Sequence, residues 1–191
     1  MPTKLVIDTS SIRDFFKFYR FDKFNENKVY GKLYGYLLSK IKAGEIVVID
    51  KVYQNELPQK IFDDFKKDIK ESVVGTIHLI PKVQELIDKY YIESNAKLQG
   101  LTENEVESEL KQYEEKHADL FLIALCLELK SKGENAILVT EESFRPDKKL
   151  VEKIPTICKP ENENIQFQKI PDILFEKYKK ELQFTLEVSP L

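Results

Sequence analysis

The chain holds two histidines, His78 and His117, so hydrolytic chemistry would fall to carboxylates. Several acids sit where chemistry is done. The apolar run Leu5-Val6-Ile7 ends on Asp8, with Thr9, Ser10 and Ser11 directly behind it. Glu56 lies a short turn beyond a second β-branched run, Ile46 to Ile49, and Asp119 opens a segment that is apolar from Leu120 to Leu127. Glu141 and Glu142 follow Leu138-Val139-Thr140. Carboxylates gathered in one pocket repel each other, and such a pocket is tolerable chiefly when hard cations neutralise it. All-oxygen donors suit Mg²⁺ or Mn²⁺, which activate water and steady the leaving oxygen of a phosphodiester. Taken singly, each acid also has an ordinary reading: Asp8 as a helix cap, Glu56 as a solvated helix residue, Asp119 as a cap or a partner of the helix dipole.

The elements that must position these acids are legible as periodic runs. Lys4 to Ile7, Glu45 to Asp50 and Asn135 to Glu142 read as buried strands, joined by long helical crossovers. Parallel, right-handed units follow by default, and ligands in such sheets sit beyond the carboxyl ends of the strands. Helices are expected over Ile12 to Phe24, with Phe15, Phe16, Tyr19 and Phe24 packing on the sheet, and over Val29 to Ile41 after a polar break at Asn25 to Lys28. A short turn ending at Leu57 leads into a helix from Pro58 to about Lys70, and Val73 to Ile80 reads as a strand or extended link. Pro81 opens a helix to about Ala96, Gly100 breaks it, and Thr102 to Glu105 has the capping-box form that starts an acidic helix to about Glu115. Beyond the apolar helix headed by Asp119, a short helix is expected in the basic stretch Arg145 to Lys153, then a buried turn or strand from Ile154 to Cys158. A last helix is read from Ile170 to Glu181, and the tail Leu182 to Leu191 has some strand character. The expected fold is three-layer α/β/α with a central parallel sheet. One domain spans residues 1–191, with an inserted helical arm or lid at about 81–116 and a C-terminal extension at about 182–191.

A net charge of -3 excludes a globally basic nucleic-acid binder but not a local basic rim around an acidic site. Cys126 and Cys158 lack paired spacing, which argues against a disulfide framework and a zinc site and for a reducing compartment. No apolar run approaches the roughly 18–20 residues of a membrane span, so a cytoplasmic protein with no membrane partner is expected.

In order along the chain, Leu5 to Ser10 with Asp8, Val52 to Leu57 with Glu56, Ala118-Asp119 leading an apolar helix, and Leu138-Val139-Thr140 followed by acids resemble the motifs of PIN-domain ribonucleases. These are the nucleases of toxin–antitoxin pairs and of RNA processing. The resemblance runs from about residue 4 to residue 158, and the ending Ile154-Pro155-Thr156-Ile157-Cys158 is similar to that of a PIN-like bacterial subfamily. It implies a PIN-like fold and an Mg²⁺- or Mn²⁺-dependent endoribonuclease. Asp8, Glu56 and Asp119 would be the catalytic metal ligands, with Glu142 or its neighbour Glu141 where the family usually has Asp. Thr9, Ser10 and Thr140 would orient carboxylates or waters, while Arg13, Arg145, Lys148 and Lys149 would contact RNA phosphates around the rim. An antitoxin protein and a homodimer are implied as partners.

Other chemistries fit less well. An aspartyl-phosphate phosphatase needs a second Asp where Ser10 stands, a phosphoacceptor regulator needs adjacent acids near the first strand, and the scattered glycines form no phosphate loop. A catalytically silent PIN-like module that binds RNA or protein is the alternative, because a fold does not guarantee activity.

Overall fold

The leucine-rich and β-branched runs do form strands, and they lie side by side. A computed structural model describes residues 3–19, 28–57, 59–145 and 148–174. In chain order it contains β1 (Lys4–Ile7), α1 (Thr9–Tyr19), α2 (Lys28–Lys42), β2 (Ile46–Val47), a single π-helical turn (Val52–Glu56), α3 (Gln59–Ile69), α4 (Ile80–Tyr90), α5 (Glu93–Gln99) and α6 (Glu103–Glu115). It continues through α7 (Ala118–Ser131), β3 (Ala136–Val139), α8 (Ile154–Ile157), β4 (Phe167–Gln168) and α9 (Ile170–Asp172). Every strand pairing is parallel, the order is β2-β1-β3-β4, and helices flank the sheet to give three α/β/α layers.

This order fixes where a ligand would sit. From β1 the chain steps to β2 on one side, then crosses back to β3 on the other, so the direction of winding reverses between β1 and β3. The crevice beyond the carboxyl ends of those two strands is the topological switch point, where crossover loops diverge and leave room. Ile7 pairs with Val139, which puts Asp8 and Thr140 next to each other at that edge. A helix feeding a parallel strand runs antiparallel to it, so the start of α7, with Asp119, lies at the same edge.

One continuous core fills the layers. Leu5, Val6 and Ile7 of β1 and Leu138 and Val139 of β3 are buried, as expected for strands covered on both faces. Helix α7 is buried from Leu120 to Cys126 and packs against β1, β3, α4, α6 and α8. On the other flank Phe16 makes edge-to-face contacts with Phe15, Tyr34, Phe62 and Phe65, at centroid distances of 5.0 to 6.0 Å. Such contacts add modestly to the area each ring buries.

The structure corrects several element boundaries. The first helix starts at Thr9 rather than Ile12, and only Ile46 and Val47 of the second apolar run are paired as a strand. The helix expected from Pro81 to Ala96 is broken at Tyr91, because Ile92 N–H donates to Leu150 O (2.7 Å), Glu152 N–H donates to Tyr90 O (3.1 Å), and Tyr91 bridges to Val151. Those tertiary bonds outcompete the next helical turn. The described part of Arg145 to Lys153 is extended or irregular rather than helical, for the same reason. Ile154 to Ile157 is a buried helical turn, and β4, which no pattern announced, closes the sheet. Phe24, the part of the polar break from Asn25 to Asn27, Pro58, most of the expected last helix and the tail lie outside the described residues. No described helix is long and apolar enough to cross a membrane.

Phe121 is fully buried in α7 at the centre of this packing. Its replacement by alanine is expected to lower stability by about 3–5 kcal/mol, read from the midpoint of a urea unfolding curve.

Candidate active site

Asp8 leaves β1 directly into the crevice. Its backbone N–H donates to Val139 O (2.9 Å), so the sheet itself fixes the residue, and its side chain is 4% exposed. Ser10 and Thr140 donate to Asp8 Oδ2 at 2.5 and 2.9 Å. Burial, the nearby charge of Asp119 and, more weakly, that of Glu56 push the Asp8 carboxyl up to about 7, against the two hydroxyl hydrogen bonds that favour its anion. Burial is the larger cause of this rise and the neighbouring carboxylates the smaller.

Glu56 ends the π-helical turn and is oriented by two donors, Thr9 Oγ1 (2.5 Å) and the N–H of Ala118 (3.0 Å). The second is an orphan donor at the start of α7, so Glu56 satisfies the helix terminus while lying beside Asp8. Its own backbone is held by Arg13 Nη2, which reaches Glu56 O at 3.4 Å. Asp119, in the first turn of α7, accepts from Lys149 Nζ at 3.1 Å. Lys149 also reaches Glu142 Oε1 at 3.4 Å, and the other oxygen of Glu142 accepts the N–H of Ile154 at 3.3 Å. Burial and then the Asp119 charge raise Glu142 above the usual carboxylate range. Burial works against the Lys149 ammonium, but Asp119 and Glu142 outweigh it and raise its pKa.

The two adjacent glutamates part company. Glu141 points to the far side of the strand end, where its carboxylate accepts the N–H of Ile170 (2.8 Å) and Ser11 Oγ (3.4 Å). The crevice thus gathers Asp8, Glu56, Asp119 and Glu142, with Thr9, Ser10 and Thr140 as hydroxyl donors, and leaves Glu141 to tie β3 to α1 and α9. Arg13, Arg145 and Lys148 are exposed on its surroundings, whereas Lys149 sits among the acids themselves.

The model of the family described as a domain of unknown function, DUF4411, matches residues 6–177. The chain belongs to this family. No curated protein and no solved structure matches it. The DUF4411 match spans all the acids of the crevice and Lys149. The chemistry open to the crevice follows from its side chains.

Those side chains form an all-oxygen, over-charged donor set, which is the chemistry a hard divalent cation requires. Among the described residues no three acidic, histidine or cysteine side chains are arranged as a ready-made metal site. Glu56 is turned to Thr9 and Ala118, and Glu142 to Lys149 and Ile154, so a cation would have to draw them in. Sequence reasoning missed Ser11, which is fully buried, and gave Lys149 only a rim role. Lys149 stands in a run of basic residues, and nothing in its spacing separates it from Lys148.

An aspartate in an unfolded chain titrates near 3.8, so between about pH 4 and 7 the unfolded protein releases a proton that folded Asp8 keeps. The contribution of Asp8 to stability is therefore least unfavourable below this window, becomes more unfavourable as pH rises through it, and stays so above it. Asp8→Asn removes the charge while preserving the shape. In cation-free buffer it is expected to stabilise the protein by about 2–4 kcal/mol near pH 8, and by little near pH 4. Thermal unfolding of both proteins across that range checks this, and an equal shift at both ends would refute it.

Proposed function

We propose that this protein is a metal-dependent endoribonuclease that hydrolyses RNA phosphodiesters with Mg²⁺ or Mn²⁺. What carries the reading is the convergence of Asp8, Glu56, Asp119 and Glu142 from distant segments on the switch point between β1 and β3, close enough for Asp119 and Glu56 to raise Asp8 and for Asp119 to raise Glu142. Asp8, Glu56 and Asp119 would hold the cation, with Glu142 as a fourth donor. A divalent ion there supplies the positive charge and Lewis acidity with which water can attack a phosphodiester.

The protein's own groups do the positioning. Ser10 and Thr140 fix the Asp8 carboxylate, Thr9 and the α7 terminus fix Glu56, and Lys149 bridges Asp119 and Glu142 and offsets part of their charge. With its carboxyl raised to about 7, Asp8 is partly protonated near neutral pH, and added positive charge would favour its anion. Arg13, Arg145 and Lys148 offer exposed cations for phosphate contacts, which position a nucleic acid without reading its sequence. The resemblance to PIN-domain ribonucleases supports the same reading, and with it the proposal that the protein is the toxin of a toxin–antitoxin pair, acting as a homodimer neutralised by an antitoxin protein.

One observation favours a second reading, a catalytically silent PIN-like module that binds RNA or protein. Lys149 already compensates two of the acids, as a resident positive charge would in a site that takes no metal. Cleavage of labelled structured and single-stranded RNAs decides between them. The nuclease reading expects cleavage with Mg²⁺ or Mn²⁺, its loss in EDTA, its return on adding the ion back, and a fall of at least about 100-fold in Asp8→Asn and Asp119→Asn, whose folding survives. Full activity in Asp8→Asn would remove Asp8 from the ligand set, and binding without cleavage under every condition would favour the silent module.

A further inference from the structure

Two residues beyond Glu142 the chain presents an aromatic ring to solvent. Phe144 is 58% exposed, while the other phenylalanines whose side chains are described are buried or half-buried. Phe167 of β4 meets it edge to face at 6.2 Å, and Lys159 Nζ lies 5.5 Å from its ring centroid. The ring is the shared wall of two neighbouring clefts. The larger, about 480 Å³, is lined by Phe167, Lys130, Lys159, Asn135 and Gln166 among others. The smaller, about 220 Å³, is lined by Arg145, Lys153, Ile92 and Thr156 among others.

Each cleft beside the ring is lined by more cations than acids. The larger cleft has Lys130 and Lys159, the latter 3.9 Å from Glu161, against Glu134, whose carboxylate is paired with Lys4 at 2.9 Å, and the smaller has Arg145 and Lys153 against Glu152. A protein of net charge -3 has thus placed cations on both sides of an exposed π face, next to its acidic crevice. That combination suits a single-stranded polyanion. A base can stack on the ring while the flanking ammonium and guanidinium groups take the phosphates on either side. The amides of Asn135 and Gln166 are of the type that pairs with a base edge, and the larger cleft is of the size ligand pockets take, about 300–1,000 Å³. A duplex would have to unstack to use the ring, so unpaired RNA is favoured.

We propose that Phe144 is a stacking platform for an unpaired base of single-stranded RNA, with Lys130 and Lys159 on one side and Arg145 and Lys153 on the other taking the adjoining phosphates. The choice of RNA as the polymer rests on the nuclease reading above; the platform itself rests on the exposed ring and its cations.

The test uses the full chain in EDTA, where binding is measured without cleavage. The probes are a labelled oligoribonucleotide of about 12 nucleotides carrying 2-aminopurine, and the duplex it forms with its complement. Wild type is expected to bind the single strand at least about 10-fold tighter than the duplex and to quench 2-aminopurine. Phe144→Ala should weaken single-strand binding about 10-fold and abolish the quenching, and Phe144→Trp should retain both. Lys159→Ala should flatten the salt dependence of binding, and melting temperatures equal to wild type exclude loss of folding as the cause. If Phe144→Ala binds and quenches as wild type does, the platform is refuted. Cleavage measured separately with Mn²⁺ keeps the two readings apart. Cleavage with an unchanged KM in Phe144→Ala overturns the platform and leaves the nuclease. Phe144-dependent quenching without cleavage supports the platform and overturns the nuclease. A wild type that neither binds nor cleaves overturns both.

Discussion

The structure is organised around a carboxyl group that the fold keeps out of water. Asp8 is held by the sheet hydrogen bond of its own N–H and boxed in by Ser10 and Thr140, so it cannot swing away from Asp119 and Glu56 to relieve repulsion. Burying a charge among like charges is costly, and a protein selected for stability alone would put an apolar residue there. The rest of the carboxyl edge can be understood as managing that cost. Thr9 and the α7 terminus compensate Glu56, and Lys149 compensates Asp119 and Glu142. Local instability of this kind is concentrated at functional sites and in structural ion-pair networks alike.

The inserted helices read differently from a free lid. Asn95 and Gln99 of α5 donate to the carbonyls of Lys149 and Lys148, at 2.7 and 2.8 Å, and the end of α4 exchanges backbone hydrogen bonds with Leu150 and Glu152. At the other end of the arm, Lys51 and Asn55 of the segment bearing Glu56 reach the carbonyls of Glu115 and Lys116 at the close of α6. The arm therefore braces two strands of backbone that carry charged groups into the crevice. Its acidic face can stay solvated because its apolar face, with Val83, Leu86 and Tyr113, is buried in the core, where α4 and α6 pack against α7.

Much of this was legible in the sequence, for a physical reason. A strand that finishes on an acid leaves a recognisable boundary, and Asp8 and the Glu141-Glu142 pair stand at such boundaries. Asp119 was legible because a carboxylate at the mouth of a wholly apolar helix demands compensation. The residues that escaped are those whose surroundings are made by tertiary contact. The break at Tyr91 depends on hydrogen bonds to a segment about sixty residues away, which no local pattern records. Strand β4 is too short and too half-buried to show an alternation, and Phe144 resembles any other aromatic until its exposure is known. The choice between Glu141 and Glu142 was equally hidden, since successive side chains leaving a strand face opposite ways and only the neighbours reveal which way is inward.

Glu56, Glu142 and Glu141 each accept a backbone N–H at the head of a helical segment, those of Ala118, Ile154 and Ile170 respectively. Carboxylates at the strand ends thus double as the pins of three helix starts. Any event that turns those oxygens of Glu56 or Glu142 elsewhere gives up a helix-end hydrogen bond in the same motion, so charge at the carboxyl edge and the seating of two buried helix starts are mechanically linked.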